Sequence, residues 1–127
     1  MSRAYLSCDY TAVTAACLMV PKAVFDEVGG LCEEYAVAFN DVDLCMKVRS
    51  KGYLVVYDAF SQWYHYESKS RGYEDTEEKI ERFHGEVNLF QTRWKDFLKK
   101  GDPYYSPNLT LDHNDFGLNH LAKVERR

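Results

Sequence analysis

The sequence predicts one α/β domain, and three observations lead to that prediction. Runs rich in β-branched and aromatic residues, at 10–20, 53–57 and 60–67, have the composition of strands. Other segments carry apolar residues at helical spacing and end at glycines. The length of 127 residues, with 46% hydrophobic and 28% charged residues, fits one folded domain, 1–127, with its own core.

Charge and cysteine usage exclude several classes of protein. The chain has 16 Lys and Arg against 20 Asp and Glu, a formal net charge of −4, so we expect no nucleic-acid partner. No run approaches the ~18 apolar residues of a membrane span, and the N-terminus lacks a signal-peptide pattern. The four cysteines form no Cys-x-x-Cys pair. Cys17 and Cys45 lie in apolar runs, which predicts that their thiols are free and buried. Free buried thiols fit a protein of the reducing cytoplasm.

The first half of the chain predicts a strand and a short helix. The run 10–20 is apolar and β-branched, so we expect a buried strand. Pro21 suits the first turn of a helix over 22–28. Gly29 and Gly30 would end that helix, because glycine accepts the left-handed conformation common at helix ends.

A second helix is predicted over about 41–51, with Asn40 as its N-cap and Gly52 at its end. Its apolar residues surround much of the helix, which predicts burial on more than one side. They are Val42, Leu44, Cys45, Met46 and Val48. Strands should follow at 53–57 and 60–67, and in the second of these alternate residues would share one face. That face would carry Trp63, His65 and Glu67.

A long amphipathic helix over 75–100, capped by Asp75 or Thr76, is the clearest periodic element. Its apolar residues recur every three or four positions: Ile80, Phe83, Val87, Phe90, Trp94 and Phe97. This seam either packs on the domain or pairs with a second copy in a homodimer. Residues 101–127, which include two prolines, predict an extended tail.

The segment Asn40-Asp41-Val42-Asp43 is the first candidate for chemistry. It places two carboxylates in the first turn of a helix, where free N–H groups and the helix dipole favour negative charge by roughly 0.3–1 kcal/mol each. A carboxylate that faces a cleft there can take a proton from a hydroxyl. The alternative is that both residues only cap the helix.

A second candidate lies around His65 and Glu67. An imidazole and a carboxylate on one strand face can bind a metal or contact phosphate, although a structural histidine fits the spacing as well. The loop 68–72 that follows offers hydroxyls and cations for a diphosphate, or is simply solvated. The chain contains no P-loop, dinucleotide-binding, nucleophile-elbow or zinc-protease motif.

Taken in order, three segments resemble the C-terminal half of bacterial inverting nucleotide-sugar glycosyltransferases of family two. They are TAACLMV at 14–20, VFDEVGGLCEEYAVAFNDVDLCMKVRSKGY at 24–53 and YHYESKSRG at 64–72. DPYYSPNLTL at 102–111 resembles the tail that follows them. The resemblance implies a partial GT-A-like α/β fold, with a mixed sheet, flanking helices and one long C-terminal amphipathic helix.

The same resemblance assigns roles to individual residues. Asp41 would be the general base, and His65 would contact the metal or the diphosphate. Acceptor contacts would come from Asn40, Asp43, Glu33 and Trp63. The diphosphate would be bound by Ser68, Ser70 and Arg71. Ala15 and Cys32 depart from the family pattern, which usually has Gly and Asp there.

The implied reaction transfers a hexosyl or rhamnosyl group from a nucleotide-diphosphate donor to a saccharide acceptor, with inversion. We expect a divalent metal, Mg or Mn, and a role in cell-surface polysaccharide synthesis, in the cytoplasm or at the inner face of the membrane. Nothing in the chain resembles the nucleotide-binding half, so we expect these 127 residues alone to be inactive. The alternatives are a non-catalytic carbohydrate-binding or oligomerisation module, and a metal-dependent phosphohydrolase that uses Asp41, Asp43 and His65.

Overall fold

A computed structural model describes residues 5–64, 66, 76–113 and 116–119. It has mixed α/β structure, as the sequence predicts. Its elements are β1 (Cys8–Tyr10), a 3-10 turn (Ala15–Cys17), α1 (Lys22–Glu27), α2 (Asn40–Ser50), β2 (Val55–Tyr57), α3 (Glu77–Arg93) and α4 (Lys95–Lys100). β1 and β2 pair antiparallel, with Cys8 opposite Tyr57 and Tyr10 opposite Val55.

The strand predicted over 10–20 is wrong beyond Tyr10. A 3-10 turn occupies Ala15–Cys17, and the hydroxyl of Thr14 accepts a hydrogen bond from the N–H of Ala16 at 3.3 Å. This local bond competes with strand pairing. Cys17 is exposed, not buried as predicted. The strand predicted over 60–67 is also absent from the residues described there, 60–64 and 66.

The first helix agrees with the sequence prediction. α1 carries an ion pair between Lys22 Nζ and Asp26 Oδ1 at 2.6 Å, and glycines with φ values of +77° and +65° follow it at positions 29 and 30. A Cβ atom on Gly30 would lie 2.9 Å from Cε1 of Phe25, whereas one on Gly29 would have no neighbour within 4 Å. Gly30 therefore meets two requirements, a left-handed backbone and a close side-chain approach.

We expect Gly30→Ala to lower the free energy of unfolding more than Gly29→Ala does. Both changes place a Cβ on a residue with a left-handed backbone, which costs about 1–2 kcal/mol of stability. Only Gly30→Ala also pushes against Phe25, which should add about 1 kcal/mol or more. Urea denaturation of the two variants measures the difference, and equal losses would contradict the role of the Phe25 contact.

α2 is buried on two sides, as predicted. Leu44, Cys45 and Val48 form one core cluster with Val55 of β2. Met46 belongs to a second cluster with Tyr35 and Phe90. Burial raises the pKa of the Cys45 thiol, which keeps it neutral.

The beginning of α2 differs from the prediction. Asn40 is the first helical residue, and Phe39 is the N-cap, in a left-handed conformation with φ of 64°. Gly52, with φ of 89°, follows the helix as predicted. Phe39 has no polar side chain, so other groups must hold the chain at the start of α2.

The long helix over 75–100 is two helices, because α3 ends at Arg93 and α4 begins at Lys95. Phe90, Trp94 and Phe97 pack on the domain, against the cluster that contains Met46 and Tyr35. At the other end of the seam Ile80 and Phe83 are 45% and 40% exposed. Packing on the domain thus accounts for much of the seam, and dimerisation through Ile80–Phe97 stays a prediction.

Within the described ranges, the predicted tail contains one isolated antiparallel bridge, between Leu109 and Leu118. Tyr104 holds the tail near β1, because Arg49 Nη1 donates to its hydroxyl at 3.1 Å and to the carbonyl of Tyr10 at 3.4 Å. None of the helices the structure describes combines the length and the apolar character that crossing a bilayer requires.

Candidate functional site

The carboxylate of Asp41 joins the start of α2 to the 3-10 turn. Its Oδ2 accepts a hydrogen bond from the N–H of Ala15 at 3.1 Å, and its Oδ1 accepts one from the N–H of Val42 at 2.9 Å. Asp41 is half-buried. A carboxylate offers about four acceptor positions, so these two bonds fix its orientation and leave capacity for a further hydroxyl.

Asn40, next to Asp41, is half-buried, and its side chain binds the backbone of the preceding connector. Its side-chain amide donates to the carbonyl of Tyr35. This bond closes the connector that precedes α2, so the structure gives Asn40 a role in shaping the start of the helix. Its Oδ1 is buried, and no described residue forms a hydrogen bond with it.

Asp43 is completely buried, with 0% of its surface exposed. Its Oδ1 accepts hydrogen bonds from Nε1 of Trp94 at 2.9 Å and from Nη1 of Arg93 at 3.4 Å. Lys47 Nζ lies 3.2 Å from Oδ2 and donates to the carbonyl of Gly30 at 2.6 Å. The acceptor contact expected for Asp43 would need an exposed carboxylate, and this carboxylate is not exposed in the structure. Asp43 instead anchors α2 to the end of α3.

Arg93 connects Asp43 to the connector over 31–39. It donates to Cys32 Sγ at 3.0 Å and to Glu34 Oε2 at 2.6 Å. The hydrogen bond to Cys32, and then those to Glu34 and Asp43, raise the pKa of Arg93 although burial opposes them, so the guanidinium stays charged. Cys32, which stands where the family that the sequence resembles usually has Asp, is therefore a contact of Arg93.

The remaining predicted site residues are exposed or lie outside the described residues. Glu33 and Trp63 are exposed, Trp63 by 75%, and no hydrogen bond or ion pair in the described part of the chain joins either to Asp41. Residues predicted for the metal and the diphosphate lie outside the described residues. They are His65, Glu67, Ser68, Ser70 and Arg71. The structure thus brings together Asn40, Asp41 and Asp43 on one helix end.

The described residues do not contain a metal centre. No group of three or more His, Cys, Asp or Glu side chains among them could hold an ion. Asp41 and Asp43, which spell an Asp-x-Asp pattern, differ in burial and bind different partners. A shared divalent ion between them does not fit this geometry.

An apolar groove of about 290 Å³ lies along the next turn of α2. Its walls include Leu44 and Cys45 of α2, Val13 before the 3-10 turn, and Val55 of β2. Asp41 does not line it. The groove continues the core cluster around Val48.

Sequence analysis did not identify Arg93, Trp94 and Glu86 as contacts of this region. Arg93 and Glu86 are polar residues on the apolar face of α3, three positions after Phe90 and Phe83. A charged side chain on an otherwise apolar seam is the signal that could have marked them, because such a group needs a buried partner.

Comparison with known proteins gives partial matches. The chain is 54% identical over 113 residues to uncharacterized protein y4gI of Sinorhizobium fredii, and 34% identical over 111 residues to O-antigen biosynthesis protein RfbC of Myxococcus xanthus. It is 33% identical over 60 residues to an N-acetylglucosaminyl-diphospho-decaprenol L-rhamnosyltransferase of Mycobacterium tuberculosis. Its sequence relatives thus include a named glycosyltransferase.

The matched lengths limit what these relatives show. The y4gI and RfbC matches each cover 87% of this chain, but only 12% and 8% of the relatives. The rhamnosyltransferase match covers 47% of this chain and 20% of that relative. No protein-family profile and no solved structure matches the chain. Sequence relationship is therefore established for a segment, and the GT-A architecture stays a prediction.

Proposed function

We propose that this chain forms the acceptor side of an inverting glycosyltransferase that acts in polysaccharide synthesis. One observation carries the proposal. The segment shared with the O-antigen biosynthesis protein and, over 60 residues, with the rhamnosyltransferase occurs in a chain whose Asp41 carboxylate is held in place with unused acceptor capacity. A fixed carboxylate is what proton removal from a sugar hydroxyl requires.

In the proposed reaction, the acceptor hydroxyl lies against Asp41. The carboxylate takes the hydroxyl proton while the oxygen attacks the anomeric carbon of the donor sugar. The new glycosidic bond forms as the bond to the nucleoside diphosphate breaks, and the electron pair leaves on the diphosphate. Attack from the opposite face inverts the anomeric configuration. The two backbone N–H groups of Ala15 and Val42 keep Asp41 in one orientation throughout.

In this proposal most of the donor site belongs to other parts of a longer polypeptide, and this chain contributes only part of it. Ser68, Ser70 and Arg71 would contribute from this chain to the diphosphate, and His65 to a divalent Mg or Mn ion whose other ligands lie elsewhere. Trp63 and Glu33 are exposed and can contact a saccharide acceptor, whereas Asp43 positions the helix. The setting proposed is the cytoplasm or the inner face of the membrane, where nucleotide sugars are used.

Transfer assays test this function directly. An RfbC chimaera that carries this chain in place of the matching segment of RfbC is incubated with nucleoside-diphosphate sugars, rhamnose donors included, and saccharide acceptors. We expect a glycoside of inverted anomeric configuration, measured by NMR, and no turnover by the 127-residue chain alone. A product of retained configuration, or transfer by the chain alone, would contradict the proposal. Acceptor binding without transfer would favour a carbohydrate-binding module.

A further inference from the structure

Glu86 is a buried carboxylate that binds the backbone just before α2. It is 4% exposed, on the face of α3 that also carries Phe83 and Phe90. Its Oε1 accepts a hydrogen bond from the N–H of Val37 at 3.1 Å, and its Oε2 accepts one from the N–H of Ala38 at 2.8 Å. Both oxygens of one side chain therefore hold two consecutive peptide groups.

Phe39, the residue that follows the two peptide groups bound by Glu86, has an unfavourable backbone conformation. Phe39 has φ of 64°, a left-handed value that a bulky side chain rarely adopts. Its ring stacks on Phe90 at 4.9 Å and on Phe83 at 5.9 Å between centroids. Such strain persists only where the surroundings fix it, and here α3 supplies both the carboxylate and the rings.

The conformation of Phe39 sets the direction in which α2 begins. The carbonyl of Phe39 accepts the N–H of Asp43 at 2.8 Å, so it is part of the first turn of the helix. Asp41 lies in this turn, and its contact with the N–H of Ala15 spans 26 positions of sequence. A change of φ at Phe39 would rotate the turn and move the carboxylate away from Ala15.

We infer that Glu86 is a positioning residue for Asp41, acting through the peptide groups of Val37 and Ala38 and the left-handed Phe39. The geometric part stands on the contacts above, and only its meaning for turnover rests on the proposed function. Asp43 holds the same first turn of α2 through a second set of contacts, because its carboxylate accepts hydrogen bonds from Arg93 and Trp94 at the end of α3.

Amide resonances of the 127-residue chain report this coupling. Asp41→Ala defines the ¹H–¹⁵N position of Ala15 when the carboxylate contact is lost. We expect Glu86→Ala to move the Ala15 resonance at least halfway to that position, and to speed hydrogen exchange at Val37 and Ala38 by about tenfold. Glu81→Ala, which removes an exposed carboxylate from the same helix, should leave all three amides unchanged.

Glu86→Gln keeps the shape and one acceptor oxygen, so it should retain the fold and give a smaller shift in the same direction. Val48 in the buried part of α2 serves as the internal reference for global unfolding. Changes at Val37 and Ala38 with Ala15 unmoved, in either Glu86 variant, would overturn the inference. These signals do not depend on turnover. Failure of the transfer assay would therefore count against the proposed function and leave the positioning test standing.

Discussion

Asp41→Asn should reduce sugar transfer by about 10²–10⁴-fold while donor binding stays nearly unchanged. The amide keeps the size of the side chain and one acceptor oxygen, so it can still accept a hydrogen bond from Ala15 or Val42. It cannot take a proton from an acceptor hydroxyl at neutral pH. The loss should therefore appear in kcat, since the amide removes chemistry more than it removes binding.

Initial rates of the RfbC chimaera at saturating donor and acceptor measure this loss. Asp26→Asn is the matched control, because Asp26 is an exposed aspartate on α1 whose ion pair with Lys22 stays at the surface. It should keep transfer within about twofold, as exposed pairs contribute little. Transfer by Asp41→Asn at near the unsubstituted rate would show that another group, or water, accepts the proton.

α2 is the element that the sequence predicted best. The helix predicted over about 41–51 lies at Asn40–Ser50, one residue away at each end, because helix ends depend on local chemistry that a sequence displays. The two-sided burial also followed from the apolar residues around the helix. The strand predicted over 10–20 is wrong beyond Tyr10, because β-branched composition does not reveal the 3-10 turn that Thr14 begins. The two-stranded sheet of the described residues also offers no partner strand to residues 11–20.

In the candidate site, too, the sequence predicted the local features and missed the long-range contacts. Asp41 could be singled out from its place in a first turn and from the resemblance. Its contact with Ala15 and the burial of Asp43 depend on tertiary packing across long sequence separations, which periodicity does not encode. The break at Trp94 belongs here too. Trp94 directly follows the last residue of α3, and its indole N–H donates to Asp43. A long-range hydrogen bond therefore accompanies the division of what the sequence predicts as one continuous helix.

Asp43→Ala should have the largest effect on stability, lowering the free energy of unfolding by about 3–5 kcal/mol. The change leaves the indole N–H of Trp94 unpaired and removes the anion that faces Arg93 and Lys47. The Arg93 and Lys47 side chains are 31% and 22% exposed, so water can reach them and we expect the lower end of this range. Small domains have only about 5–15 kcal/mol in total, so a substantial unfolded fraction should appear in mild urea.

Urea denaturation followed by circular dichroism measures this loss, provided that the m-value is unchanged. Asp43→Asn keeps an acceptor for Trp94 and loses the ion pairs, so its loss should lie between those of Asp43→Ala and the unsubstituted chain. Asp26→Ala, which breaks an exposed pair, should stay within about 0.5 kcal/mol. Combining Asp43→Ala with Trp94→Phe should cost less than the sum of the two changes, because the second removes the unpaired donor that the first creates. Additive losses would mean that the Asp43 carboxylate and the Trp94 indole are not coupled, and that α2 is tied to the end of α3 mainly by apolar contacts.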